Sequence, residues 1–158
     1  MSTEPNPYAP PGADLGRTPP EKGAAWKAIV FGLLSDIALT MVLSILFFAF
    51  YSGYLILTGT PADQIGDAFN ADAGDAIVTV GLLATGGAGS MLGGFICARV
   101  AKHSEYRLGA ILTAISLVLG FLFVTDEPIA IVLMSTTVTV AATFAGVWTG
   151  VRLNRSGR

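Results

Sequence analysis

Four apolar stretches, separated by short polar breaks, account for most of residues 26–151. In the first, residues 26–57, Trp26, Ile29, Val30, Leu33, Leu34 and Ile37 recur at i, i+3 and i+4, the spacing of a helix face. A membrane-spanning helix needs about 20 residues, so this stretch is too long by roughly ten. Two arrangements fit it: one long tilted helix that emerges from the bilayer, or an interfacial segment over 26–35 followed by a span over 37–57. The second, third and fourth stretches, at about 76–100, 108–124 and 129–151, each have the length of one span. Only Thr125-Asp126-Glu127-Pro128 separates the last two, which makes them antiparallel neighbours. Ala101-Lys102-His103-Ser104-Glu105-Tyr106 joins the second to the third. Short connections of this kind predict an all-α, up-down-up-down four-helix bundle embedded in a membrane. The longer break after residue 57 contains Thr60-Pro61-Ala62-Asp63. Thr60 suits an N-cap, Pro61 a first helical position and Asp63 a first turn. A short surface helix is therefore predicted over about 61–70, with Ile65 and Phe69 turned toward the membrane.

Charge orients these elements. All nine Lys and Arg residues fall on one side of the four stretches. Arg17, Lys22 and Lys27 precede the first; Arg99, Lys102 and Arg107 flank the break between the second and third; Arg152, Arg155 and Arg158 follow the fourth. The other two breaks carry Asp63, Asp67, Asp72, Asp75, Asp126 and Glu127 and no basic residue. Positive residues stay on the cytoplasmic side of a membrane, so both termini are expected in the cytoplasm, in an inner membrane of bacterial type. Trp26 suits the cytoplasmic interface, and Tyr51 and Tyr54 the opposite one. Arg99, Lys102 and Arg107 have a topological role and are candidates for contact with anionic lipid headgroups.

Composition narrows the classes further. Of 158 residues, 53% are hydrophobic and only 13% charged, about half the charge expected of a soluble domain. A single cysteine, Cys97, excludes an internal disulfide, and one histidine, His103, excludes a His-rich metal site. No basic patch is interleaved with aromatics, so nucleic acid is not an expected partner; the bilayer is. Residues 1–23, rich in Pro, Gly and Ser, read as a disordered cytoplasmic tail, with Asn6-Pro7-Tyr8-Ala9-Pro10-Pro11 of polyproline character. This start is acidic and proline-rich, unlike a cleavable leader. Residues 24–151 form one four-span domain, and 152–158 a basic cytoplasmic tail.

Candidate chemistry lies inside the spans. Asp36 is the one ionisable residue well within an apolar stretch. A carboxylate at the bilayer centre costs about 2.5–3.5 kcal/mol, and such residues often mark ion or proton paths. Gly32, Asp36, Thr40 and Ser44 recur every four residues as a small, polar stripe, which makes Thr40 a companion candidate. In the alternative placement the first stretch slides outward, and Asp36 caps a shorter span near the headgroups. The second span contains Gly89-x-x-x-Gly93 and, beside it, Gly86, Ser90, Gly94 and Ala98. Small residues let helix backbones approach closely. They fit packing inside the domain, a homodimer face or a broken helix on a substrate path. The glycines do not form a nucleotide loop: the spacing is not GxGxxG and no GK[ST] follows. On the fourth span Thr136, Thr139, Thr143, Gly146 and Gly150 share a face that matches the glycine ridge. No nucleophile, base and orienting group occur together, so no enzyme activity and no cofactor are expected.

Two resemblances follow from particular residues. Gly93-Gly94-Phe95-Ile96-Cys97-Ala98-Arg99, followed by Leu108-Gly109-Ala110, resembles a pattern in small bacterial four-helix membrane proteins whose glycine-rich second helix ends in a Gly-Gly-Phe run and an arginine. It covers about a fifth of the chain and implies a fold but no activity. Leu33-Leu34-Ser35-Asp36-Ile37 is similar in placement to the acidic residue in the first helix of small multidrug-resistance transporters, which implies a proton-coupled carboxylate at Asp36. The chain departs from those transporters in its longer first stretch, its longer outer loop and its fewer aromatics in the later spans. Two functions are therefore expected: a non-enzymatic interaction subunit, packed against itself or a larger membrane protein, or a proton-coupled exporter of small molecules acting as a homodimer through Asp36.

Overall fold

The computed structural model describes residues 24–71, 76–123 and 128–156. The described residues are helical throughout, with five α-helices: α1 (Ala25–Leu57), α2 (Ile65–Ala71), α3 (Ala76–Ala101), α4 (Glu105–Phe123) and α5 (Ile129–Ser156). A 3-10 turn, Ala62–Gln64, precedes α2. Four of the helices, all but α2, are long and apolar enough to cross a membrane, which fits a multi-pass membrane protein. The predicted tail over 1–23, the turn at 124–127 and Asp72 and Asp75 lie outside the described residues.

The first apolar stretch is one uninterrupted helix of 33 residues, about 50 Å long at 1.5 Å per residue. It ends in a Schellman motif: the Gly59 N–H donates to Ile56 O and the Thr60 N–H to Leu55 O. Gly59 has φ +100°, a conformation that glycine tolerates and other residues do not. Thr60 is thereby used to close α1, which is why it does not cap the next helix as its sequence suggests. Pro61 stands in the cap position with an extended backbone. The return at Gly59 also brings α2 back onto α1. Ile65 and Phe69 pack against Tyr51, Leu55 and Val78 rather than facing outward, and the Phe69 ring lies 4.9 Å from that of Phe48 and 5.9 Å from that of Tyr51.

Two helices run past their sequence-based limits. α4 begins at Glu105, three residues before 108, and a carboxylate in a first turn suits the positive end of the helix dipole. α5 continues through the basic segment to Ser156, where Arg152 and Arg155 suit its negative end. Residues 152–156 therefore belong to the helix and not to a separate tail. Between α3 and α4, Lys102 and Ser104 take positive φ of 53° and 49°, which turns the chain within three residues.

α3 is the central helix, and it makes its two largest interfaces with α1 and α5. α1 runs antiparallel to it. A Cβ on Gly32 would lie 2.9 Å from Gly93 O, and one on Gly93 would lie 2.8 Å from Gly32 O. Further along, Gly81 faces the ring of Phe47. α5 runs parallel to α3 on its other side. There Gly94 meets the Thr143 carbonyl, Gly146 meets the Met91 carbonyl and Gly150 meets Ala98 and Phe95 O. Glycine is required at Gly94 and Gly146 because there the nearest atom is a backbone carbonyl of the neighbouring helix. Where apolar burial from water does not drive helix association, such close contact does. α4 lies against α1, α3 and α5. At the end that holds the α3–α4 turn, Ala28, Cys97, Ala101, Leu108 and Leu112 form a buried apolar cluster. At the opposite end Tyr51, Leu55 and Val78 form another.

Adding a methyl group where two backbones touch should overpack the interface at a cost of about 1–3 kcal/mol. Gly146→Ala is therefore expected to lower the thermal unfolding midpoint in mild detergent. Gly53→Ala, whose added carbon has nothing within 4 Å, should stay within about 0.5 kcal/mol of the parent. Equal midpoints for the two variants would contradict the assigned α3–α5 interface.

Candidate functional site

The small and polar stripe of α1 turns toward α3 along its whole length. Gly32 meets Gly93 and Cys97, Asp36 meets Gly93 and Ser90, Thr40 meets Gly89, and Ser44 donates a hydrogen bond of 3.4 Å to Thr85 Oγ1. A four-residue repeat keeps one face of a helix aligned, and this produces the register. Gly89 and Gly93 have no side chains to fill the interface, so the Asp36 and Thr40 side chains occupy it.

Two helices hold the Asp36 carboxylate. Ser90 Oγ on α3 donates to Oδ1 at 3.3 Å, and Ser116 Oγ on α4 donates to Oδ2 at 3.2 Å. The Thr40 hydroxyl is a third neighbour from α1 itself. Asp36, Ser90 and Ser116 each lie eleven residues from the same end of their helices, measured from Ala25, Ala101 and Glu105. That distance is about 17 Å at 1.5 Å per residue. The α1 helix is continuous through Asp36, so there is no helix start there for it to cap.

Within a membrane these hydrogen bonds would not by themselves offset the cost of a charged carboxylate. Both exceed the usual O–H···O length of about 2.7–2.8 Å. Bonds of this type between membrane helices average about 0.6 kcal/mol, against an insertion cost of about 2.5–3.5 kcal/mol for the charge. Two of them offset about 1 kcal/mol. Beside the carboxylate lies a cavity of about 570 Å³, lined by residues of all four long helices and open to the outside, where Ile37 and Met41 are exposed. Leu33, Ile37, Met41 and Leu119 give it apolar walls, and Asp36, Thr40, Ser90, Ser116 and Thr139 give it polar ones. Asp36 is the one titratable residue among those lining it. Pockets of about 300–1,000 Å³ with a few polar groups suit small organic ligands.

The other residues singled out by sequence divide between this chamber and the packing. Gly86 lines the chamber, with nothing within 4 Å of a carbon added to it. Ser90 leaves the small-residue ridge of α3 and bonds to Asp36, whereas Gly94 and Ala98 of the same ridge meet α5. The threonine face of α5 is split in the same way. Thr139 lines the chamber, whereas Thr143 is buried against Gly94 and donates back to Thr139 O at 2.8 Å. Gly146 and Gly150 complete the α3 contact. Arg99 and Arg107 are exposed near the α3–α4 turn, as is Lys102. Arg99 donates to Asn154 Oδ1 at 3.4 Å, and Asn154 Nδ2 donates to Ala98 O at 2.9 Å, which ties the ends of α3 and α5 together. At this same end Lys27 lies over the Trp26 ring and Arg152 over the Trp148 ring.

Sequence reasoning missed Ser116. It is a lone serine in an apolar span, and its one available signal was that a hydroxyl among aliphatic residues needs a partner. Leu119 and Gly120 of the chamber wall had no signal at all. With the geometry in hand, comparison with known proteins adds nothing further: no protein-family model, curated protein or solved structure matches the chain.

Replacing the carboxylate with its neutral isostere tests the placement. If Asp36 is held at mid-depth, Asp36→Asn removes an insertion cost of about 2.5–3.5 kcal/mol without changing the volume. Its unfolding midpoint in detergent at neutral or higher pH should equal or exceed that of the parent. A carboxylate capping a helix near the headgroups would give a drop of about 1 kcal/mol instead.

Proposed function

We propose that this chain is a four-helix membrane bundle with both termini in the cytoplasm, and that it is a small proton-coupled transporter in which Asp36 binds a proton or a small organic cation in exchange. The observation that carries this reading is the Asp36 carboxylate, held by Ser90 and Ser116 on the wall of a chamber of about 570 Å³. One carboxylate bounded by aliphatic walls suits a monovalent cation with an apolar body. The charge would be met by Asp36 and the body by Leu33, Ile37, Met41 and Leu119. A proton and a cation compete for the same oxygens, and that competition couples their movements. One chain brings residues of all four long helices to the site. The proposed orientation rests on Lys27, Arg99, Lys102, Arg107, Arg152 and Arg155, which lie at the end of the molecule opposite Asp63 and Asp67. That pattern and the spans make a bacterial inner membrane the proposed location.

A second reading, an interaction subunit of a larger membrane assembly or a homo-oligomer, is favoured by α1. Its outward side chains Phe31, Leu34, Val42, Ile45 and Phe50 are exposed, along a helix of about 50 Å where about 30 Å would span. The faces at Gly89, Gly93 and Gly94 are already filled by α1 and α5, so a partner would have to use α1 instead. Purification in mild detergent with a larger protein in fixed stoichiometry would favour this second reading.

Transport through Asp36 is tested with tetraphenylphosphonium as the probe, its binding to the purified protein measured by equilibrium dialysis. The parent should bind about tenfold more tightly at pH 8 than at pH 5, because protons displace the probe. Asp36→Asn should bind weakly and without pH dependence. Binding by Asp36→Asn equal to that of the parent would overturn the reading.

A further inference from the structure

A second, smaller cavity of about 190 Å³ lies between α4 and α5 and shares Ser116, Gly120 and Thr139 with the Asp36 chamber. Its other walls include Phe121, Val132, Ser135 and Thr136. Ser116 and Thr139 lie where the two cavities meet. From there the cavity runs away from the α3–α4 turn. Phe121 is two residues from the end of α4, and Val132 is three residues from the start of α5. It therefore reaches within about one helical turn of the end of the molecule that carries α2. Polar side chains follow it: Ser116 and Thr139 at the junction, then Thr136 and Ser135 one turn further on. A volume of about 190 Å³ exceeds the roughly 30 Å³ share of one water several-fold, and hydroxyls at this spacing supply the partners such water needs.

Toward the α3–α4 turn the surroundings of Asp36 differ. Between Asp36 and the α3–α4 turn, Leu33 and Gly32 are followed by the buried cluster of Ala28, Cys97, Ala101, Leu108 and Leu112. Leu112 is 1% exposed, and Ala28, Cys97 and Ala101 are fully buried. Gly32 and Gly93 touch backbone to backbone at the top of this cluster. Its side chains are aliphatic apart from the thiol of Cys97. The two ends of the molecule thus differ in kind: hydroxyls and volume on one side of Asp36, close-packed aliphatic side chains on the other.

We propose that the α4–α5 cavity is a water-filled proton path that connects Asp36 to the α2 end of the molecule, and that the Ala28–Cys97–Leu108–Leu112 cluster closes the opposite path in this conformation. This rests on the proposed role of Asp36 and adds the side from which that carboxyl exchanges its proton. Protons would pass along water held by Ser135, Thr136, Thr139 and Ser116, with no bond made or broken other than O–H. Release to the other side then requires the packed cluster to separate, which would expose the thiol of Cys97.

Cys97 is the one cysteine in the chain, which makes thiol labelling a direct test. A charged, membrane-impermeant methanethiosulfonate reagent is applied to the purified protein, and modification is followed by mass. Native Cys97 should react negligibly, as buried thiols do, and Leu112→Cys in a Cys97→Ala background should behave alike. Thr136→Cys in that background should react at least about tenfold faster, because the reagent needs a hydrated thiolate. In sealed vesicles the reagent should reach Thr136→Cys from the same side as Asp63→Cys, which marks the α2 end. A Thr136→Cys rate as low as that of Cys97, or a Cys97 rate as high as that of Thr136→Cys, would overturn the path. Labelling reads water access whether or not the protein transports anything, so a failed path and a failed Asp36 function are told apart by this result and the probe-binding result.

Discussion

Backbone-to-backbone contact at α3 is the constraint on which the rest of the structure depends. Helices as apolar as these gain little by hiding from lipid, since lipid is as apolar as they are; they associate through close packing and interhelical hydrogen bonds. α3 meets that requirement on two sides at once. Gly89 and Gly93 accept α1, and Gly94 and Ala98 accept α5. Added bulk at either interface meets atoms held by the neighbouring helix: the Thr40 hydroxyl and Asp36 O at Gly89, Asp36 Cβ and Gly32 O at Gly93, and the Thr143 carbonyl at Gly94. α4 has no glycine seam of this kind with α3, and the chamber opens beside it.

The placement of Asp36 follows from the same constraint. On the α1 side, the glycines that let the helices meet also leave room for a carboxylate and a hydroxyl between them. Ser90, one residue from Gly89, and Ser116 across the gap from α4 then supply donors. Both bonds exceed the usual O–H···O length, and the carboxylate adjoins open space instead of being enclosed by packing.

The polarity of the molecule is built along the helices. Toward the end that holds the basic residues, small and branched side chains from α1, α3 and α4 close on one another around Leu112. Toward the α2 end, a cavity between α4 and α5 is lined by hydroxyl-bearing residues, while the Schellman turn at Gly59 folds α2 over the outer parts of α1 and α3.

The number of long helices and their approximate limits were legible in the sequence, because apolar runs of about 20 residues have few alternatives. The stripe Gly32–Asp36–Thr40–Ser44 was legible as a face, because a four-residue repeat on a helix has a fixed direction. What that face meets was not. Nothing in the chain order says that Gly89 and Gly93 serve α1 while Gly94, one residue on, serves α5, since a helix turns about 100° per residue and the partner on each side is set by the packing of the whole molecule. The same holds for Thr139 and Thr143, which share a face but divide between chamber and interface, and for Ser116, which became part of the site only when α4 was laid against α1. Local turn chemistry shifted the smaller elements: Thr60 looked like the start of a helix and closes the preceding one instead, because Gly59 can take a positive φ. Apolar run length and side-chain periodicity set which segments are helical and which of their faces are small or polar. Which faces meet is set by the packing of all four long helices, and that packing puts one carboxylate, two serines and a cavity side by side.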